Sequence, residues 1–220
     1  MIARRPLLLA PLLSLAAVRP AAAALPVPKG NLLQFKVLRG DTEIGKHVMN
    51  FERAGNVLTV KIAIDLAVKI GPITAFRYSH RGTESWEGDE FSTFSSDTDN
   101  DGKQAYCRIR RGGEGLVVEG DRAPRYVAPA NALPTTYWNN ATLKVPLINS
   151  QDGRLMQMTV KDLGVQPVTV ASGAQIQATR YSLSGLVPLD IWYDAAPSWA
   201  HLLFYRGGDT SSTPIIYERL

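Results

Sequence analysis

Two histidines and two carboxylates, His47, His80, Glu84 and Asp97, are spaced so that strand pairing would gather them on one face of a β-sheet. Imidazole and carboxyl groups side by side can orient a polar ligand or exchange protons with it. Turn signals set the pairing. A turn at Gly55-Asn56 matches Phe51 with Val60, Met49 with Ile62 and His47 with Ile64. A turn over Gly71 to Ile73 matches Val68 with Phe76, Leu66 with Tyr78 and Ile64 with His80. A two-residue turn at Gly88-Asp89 matches Trp86 with Phe91, Glu84 with Thr93 and His80 with Asp97. Leu33, Phe35 and Val37 then share that face, with Phe35 beside His47.

One row across the sheet thus reads Phe35, His47, Ile64, His80, Asp97, and another Phe51, Val60, Glu84, Thr93. Charged groups are seldom buried without partners, so their place on an apolar face marks a candidate site. The expected ligand-contacting set is His47, His80, Glu84 and Asp97, with Tyr78, Trp86 and Ile64 around them. Asp97 beside His80 would hydrogen-bond it and raise its pKa, and apolar neighbours would raise that of Glu84. The bland alternative is a row of wet, hydrogen-bonded groups near a rim, and one β-bulge would turn part of it outward.

Other chemistry is weaker. His47 and His80 lie two strands apart with no third ligand nearby, so no metal is expected. Asp97-Thr-Asp99-Asn-Asp101-Gly102 opens like a calcium loop, but Arg108 stands where the bidentate Glu belongs. Asp-Gly between strands is also a plain hairpin turn. Cys107 is the only cysteine, which rules out an intrachain disulfide and reads as a half-buried strand residue. There is no Gly-x-Ser-x-Gly, His-Glu-x-x-His, phosphate loop or dinucleotide fingerprint, and no cofactor is expected.

The elements that must position these residues are strands. From Leu58 to Ile70 every second residue is a large aliphatic one, which is the period of a half-buried strand. At about 3.3 Å per residue it would run about 40 Å, long enough that a one-layer sheet must twist and curl. The intervening side chains, with Lys46, Arg77, Arg81 and Glu87 on adjacent strands, make a face for water and argue against an outer-membrane barrel. Turn signals recur along the chain with almost no helical periodicity. The predicted fold is all-β: a strongly curved antiparallel meander forming a half-barrel or barrel-like sheet, with one short helix in the central connection.

That connection is expected over 121–145, crossing one end of the sheet, with Thr135 or Thr136 capping a helix from Trp138 to Leu143. A second meander would run from Val145 to Leu220, within the same domain. Its aromatics, Trp192, Tyr193, Trp199, Phe204, Tyr205 and Tyr217, suit a core or an aromatic-lined pocket. Asp190, Trp192 and Asp194 share a face, where the crossing loop would cover Trp192. Asn140-Ala-Thr142 is a glycosylation sequon, without weight in a bacterial host.

Residues 1–24 read as a secretory signal peptide: Arg4-Arg5, an apolar run from Leu7 to Val18, and small residues at Ala21 to Ala24. Arg4-Arg5 is also a loose twin-arginine pattern. Residues 25–220 are expected to form one domain in the periplasm or outside the cell. Removing Arg4, Arg5 and Arg19 leaves 21 of the 24 basic residues against 20 acidic ones. A near-neutral chain gives no reason to expect nucleic acid or an anionic membrane as partner. No later apolar run approaches the length of a spanning helix.

Tyr78-Ser-His80-Arg-Gly-Thr-Glu84-Ser-Trp86, the Asp97-to-Gly102 turn, Trp138-Asn139 and Asp190-Ile-Trp192-Tyr-Asp194 occur in that order. Together they resemble a family of exported bacterial proteins known as a domain of unknown function, number 6134 in that series. The resemblance spans nearly the whole mature chain, implies a bacterial envelope protein, and brings no activity or catalytic residue. The form is also similar to periplasmic half-barrel proteins, including lipoprotein carriers, which enclose an apolar ligand in a curled sheet. The function expected is binding of an apolar or amphiphilic small molecule on the concave face. An enzyme using Glu84 or a His80–Asp97 pair, and an envelope protein with a filled core, are the alternatives.

Overall fold

The long alternating run folds as a single strand flanked by equally long ones. In the computed structural model, which describes residues 24–220, the first meander comprises β1 (Leu32–Arg39), β2 (Thr42–Ala54), β3 (Val57–Ile70), β4 (Ile73–Glu87), β5 (Glu90–Asn100), β6 (Lys103–Arg111), β7 (Leu116–Gly120) and β8 (Ala123–Ala128). The signal-peptide reading falls almost wholly on residues 1–23, outside the described ones. The second meander comprises β12 (Thr159–Thr169), β13 (Gln175–Ser184), β14 (Leu189–Tyr193), β15 (Trp199–Phe204) and β16 (Ile215–Arg219). Between them lie three two-residue strands, β9 (Leu133–Pro134), β10 (Leu147–Ile148) and β11 (Leu155–Met156), forming a small sheet of their own.

β16 pairs with β1, setting Val37 against Tyr217, so the two meanders fuse into one thirteen-stranded antiparallel sheet. Its edges, β12 and β8, are not paired to each other. The sheet is a barrel-like, open surface. Its convex side carries charge, with Arg81 on Asp65 at 2.7 Å, Lys61 on Glu52 at 2.8 Å and Arg108 on Asp97 at 2.6 Å. Among the described residues no helix is long and apolar enough to cross a membrane.

The first registers agree with the sequence. His47 faces Ile64, Ile64 faces His80, and Phe35 faces His47. The fourth does not. Trp86 pairs with Phe91 but Ser85 pairs with Thr93, leaving Ser92 as an extra residue, and beyond it the register slips by one. His80 therefore faces Thr98, and Glu84 faces Phe94. The reason is packing: Phe91 and Phe94 are both buried, and residues three apart share a face of a strand only across a bulge.

The connection also departs from expectation. Residues 121–122 are the tight turn between β7 and β8, and the crossing segment runs over 129–158. It lies against the concave side, where Leu133, Trp138, Leu147, Ile148 and Met156 join the core of Phe35, Met49, Phe51 and Val60. The helix is a single 3-10 turn, Asn140–Leu143, capped by the Asn139 side chain accepting from the Ala141 N–H at 3.0 Å. Thr135 and Thr136 do not cap it. Thr135 is tied to Ser150, donating to its hydroxyl and accepting from its N–H, each at 3.0 Å. Trp192 is covered by Arg180, 5.1 Å above its ring, and by His201, rather than by the crossing segment. Asp190 and Asp194 each hold an arginine, Arg180 and Arg219.

The connection is seated where the backbone has no side chain in its way. A β-carbon on Gly120 would lie 2.3 Å from the Asp152 carbonyl oxygen, which accepts from the Arg122 N–H at 3.2 Å. Backbone cannot retreat as a flexible side chain can, so an added methyl acts as overpacking. Gly120→Ala is expected to cost about 2 kcal/mol and lower the melting temperature by about 4–8 °C. Thermal unfolding followed by circular dichroism checks this, and an unchanged melting temperature would contradict such close seating.

Candidate functional site

Burial along β3 changes from one end to the other. Leu58, Val60 and Ile62 are buried, Ile64, Leu66 and Val68 are half-buried, and Ile70 is 70% exposed. At the first end the concave side is filled core. At the other the crossing segment stops short of filling it, leaving a cavity of about 160 Å³.

His47, Ile64, Tyr78 and His80 line that cavity from the first meander. The crossing segment adds Thr135, Tyr137 and Asn149 to Gln151, and the second meander adds Trp199, Phe204 and Tyr217. Four of the seven residues expected at the site are thus brought together. No Asp, Glu, Lys or Arg lines the cavity.

The other three lie elsewhere. Asp97 is on the convex face, opposite Arg81 and bonded to Arg108, so it cannot orient His80. That corrects the expected His80–Asp97 pair, whose position the bulge at Ser92 displaced. Glu84 is only 1% exposed in the filled half of the core. Its Oε1 accepts from the indole N–H of Trp86 at 2.6 Å and of Trp138 at 3.1 Å. Trp86 lines a different cleft, beside Leu25 and Phe91. Glu84 therefore ties the crossing segment to β4 instead of meeting the cavity.

His47 is held in a box of rings, with Phe35 at 5.9 Å, Trp199 at 5.4 Å and Tyr217 at 5.8 Å between centroids. Neither of its ring nitrogens has a hydrogen-bond partner, although the residue is 4% exposed. Burial, and secondarily the nearby His80, pushes its pKa down to about 3. His80 is different in one respect: its Nδ1 meets the Thr98 hydroxyl at 2.8 Å. Burial first and Arg81 second lower its pKa to about 4, outweighing the opposing effect of Asp97, the reverse of the expected rise. Both imidazoles are neutral at pH 7, each offering one donor and one acceptor. Tyr78 is pushed up by burial and by Tyr217, so its phenol stays neutral.

Around them the polar groups of the crossing segment satisfy one another. Gln151 N–H donates to the Asn149 side chain at 2.9 Å, and the Ser96 hydroxyl donates to the Ser150 carbonyl. In the cavity wall His47 has both ring nitrogens buried without a partner; away from the cavity Glu84 Oε2, Arg180 Nε and His201 Nδ1 also lack one. Among the described residues no three His, Cys, Asp or Glu stand close enough to hold a metal ion. The carboxylates of the calcium-like stretch serve the backbone, Asp99 accepting from Gly102 N–H and Asp101 from Arg77 N–H. Cys107 is fully buried and not half-buried, and burial with Asp152 nearby pushes its thiol up to about 12.

Sequence reasoning did not place Tyr137, Asn149 to Gln151, Trp199 or Tyr217 around His47. The last two were visible only as an aromatic excess, because their position depends on β16 meeting β1 across the length of the chain. The missed bulge did leave a signal, in the three-residue spacing of Phe91 and Phe94.

Two stability effects follow. Burial raises Glu84 from its ordinary 4.5 to about 7, outweighing the hydrogen bonds that lower it, those from the Trp86 and Trp138 indoles among them. The unfolded chain then releases this proton at lower pH than the folded one, so the stability it confers is full below 4.5 and is lost as pH rises to 7. Between pH 4.5 and 8 the difference in unfolding free energy should shift toward Glu84→Gln by about 3 kcal/mol, measured by urea unfolding at each pH. A pH-independent difference would refute a buried ionisable Glu84. The second effect concerns His47. Its bare nitrogens cost desolvation with no return in the free protein, so His47→Phe should stabilise by about 1–2 kcal/mol at pH 7.5. A less stable His47→Phe protein would show that the imidazole is a satisfied core group.

A crystal structure of a β-barrel-like protein from Brucella abortus, of the domain-of-unknown-function family DUF1849, is similar to this chain with a TM-score of 0.60 and 12% sequence identity. The match covers 90% of this chain and 98% of that one, and at such identity it shows the fold alone. No curated protein matches the chain in sequence. The family model of the domain of unknown function DUF6134 matches residues 35–213, and the chain belongs to that family.

Proposed function

We propose that this protein binds an apolar or amphiphilic small molecule on the concave side of its sheet, in the periplasm or outside the cell after removal of the leader near Ala24. The observation that carries the reading is His47: a buried imidazole with two unpartnered nitrogens, boxed by aromatic rings and facing a cavity. Buried polar groups are normally paired, and a group that is not points to a partner supplied from outside. The rest of the cavity suits the same kind of ligand. Ile64, Met156, Leu189 and Leu202 supply apolar surface, and the polar wall is uncharged. A hydroxyl, carbonyl or amide group would meet His47 and His80 at no electrostatic cost, while a charged head buried there would find no counter-ion.

Export is supported by the Arg4-Arg5 pair, the apolar run after it and the small residues before Leu25. Binding of an apolar ligand is a function that a curled, half-covered sheet performs by shape, with no catalytic group required.

The test uses N-phenyl-1-naphthylamine, a neutral apolar dye that fluoresces out of water. Wild-type protein should take it up saturably. Ile64→Trp, which fills the cavity between His47 and His80, should abolish uptake while keeping the β-sheet circular dichroism. Native mass spectrometry of protein purified from cells should show a copurifying lipid-like mass. Wild-type protein that takes up no dye and carries no such mass would overturn the proposal.

A further inference from the structure

Beyond the cavity lies a wider basin of about 430 Å³, and the two share Tyr78, Gln151, Phe204 and Tyr217 in their walls. The basin is largely aliphatic and aromatic, through Leu66, Val68, Ile70, Phe76 and Ile215. It carries two charged residues, Arg39 at the end of β1 and Arg206 in the turn after β15, and no acidic one. Neither arginine is within ion-pair distance of a carboxylate among the described residues, whereas Arg81, Arg108, Arg180 and Arg219 all are. Arg206 lies over the Phe76 ring, 5.6 Å from its centroid. A guanidinium placed over a ring still has N–H groups to offer an oxyanion.

Inner and outer halves therefore differ in what they accept. The inner cavity has neutral donors and acceptors and no cation, so an anion placed there would be desolvated without compensation. The basin has two cations without carboxylate partners over apolar walls. A ligand satisfying both has an acidic group at one end, an apolar body through the neck at Tyr78, Phe204 and Tyr217, and an uncharged hydrogen-bonding group at the other. A hydroxyl suits that inner end best, because it can donate to a bare nitrogen of His47 or accept from a protonated one, whichever nitrogen and tautomer it meets.

Resting on the ligand-binding reading above, we infer that the ligand is an amphiphilic acid. Its anionic group lies outward at Arg39 and Arg206, and its uncharged polar end lies inward against His47. The orientation follows from charge: the acid stays at the rim where cations and water meet it.

The experiment displaces N-phenyl-1-naphthylamine with four probes of one chain length: 10-hydroxydecanoate, its methyl ester, decanoate and decyltrimethylammonium. At low salt, 10-hydroxydecanoate should bind at least tenfold more tightly than its ester or the ammonium compound. Salt at 0.5 M should narrow that margin, since a rim contact is screened. The double variant Arg39→Gln/Arg206→Gln, at two exposed positions, should bring acid and ester to the same affinity. His47→Phe should remove the preference for 10-hydroxydecanoate over decanoate and leave the acid preferred to the ester. If the dye binds but acid and ester compete equally, or if the double variant keeps the preference, the acid inference falls and the ligand-binding proposal stands. If neither dye nor probe binds wild-type protein, both fall.

Discussion

The bond on which the architecture depends is the one between Glu84 and the indole of Trp138. A one-layer sheet of thirteen strands has a concave apolar face that its own side chains cannot fill, and a second layer must cover it. Among the described residues the crossing connection of residues 129–158 supplies most of that layer, with Leu25 and Val27 also packed on the core, and it has too little regular structure to form a rigid layer alone. Trp138 plants it in the core, edge-on to Phe51 and Trp86, and its N–H shares the Glu84 carboxyl with Trp86. A carboxyl accepting two indole N–H groups is a costly thing to bury, but it fixes one position of the connection against one point of β4. A purely apolar contact would let it slide.

That position decides where the cavity is. From Trp138 the connection runs over the Leu58–Ile62 half of β3 and returns through Asn149 to Gln151, secured to β5 by Ser96 and to Thr135 by Ser150. The Ile64–Val68 half is left partly open. One strand with a uniform aliphatic alternation is therefore core at one end and cavity wall at the other. Nothing in its own sequence marks the change, which is made by what packs against it.

For the same reason the sequence was informative about one part of the molecule and silent about another. The Gly55-Asn56 hairpin sets its register directly. Between β3 and β4 a two-residue Gly71-Pro72 turn with a bulge at Ala75 gives the same register as the three-residue Gly71-to-Ile73 turn expected, so the row Phe35, His47, Ile64, His80 holds. The fold class, the single long strand and the charged convex face were legible on the same grounds. Asp97 was misplaced because a bulge is a one-residue event that inverts everything beyond it. Glu84 was rightly placed inward, but its role was not legible: its partner Trp138 lies 54 residues away on an irregular segment. The box around His47 depended on β16 closing onto β1, a pairing that no local signal encodes.

The energetics of the row give the cavity its meaning. Phe35 and Ile64 flank His47 and show what a position there accepts when only packing matters. A buried imidazole with nothing to bond costs about 1–3 kcal/mol relative to such a residue, a sizeable fraction of a domain's net stability. The cost is not an error of local packing, since three aromatic rings hold the imidazole in place. Nor does it serve a charge relay, because Asp97 is on the opposite face and Glu84 is committed to two indoles. What remains is a neutral donor and acceptor, buried without partners in the wall of the cavity. Under the ligand-binding proposal, the stability penalty that such a group carries is relieved when a polar atom from solution reaches it.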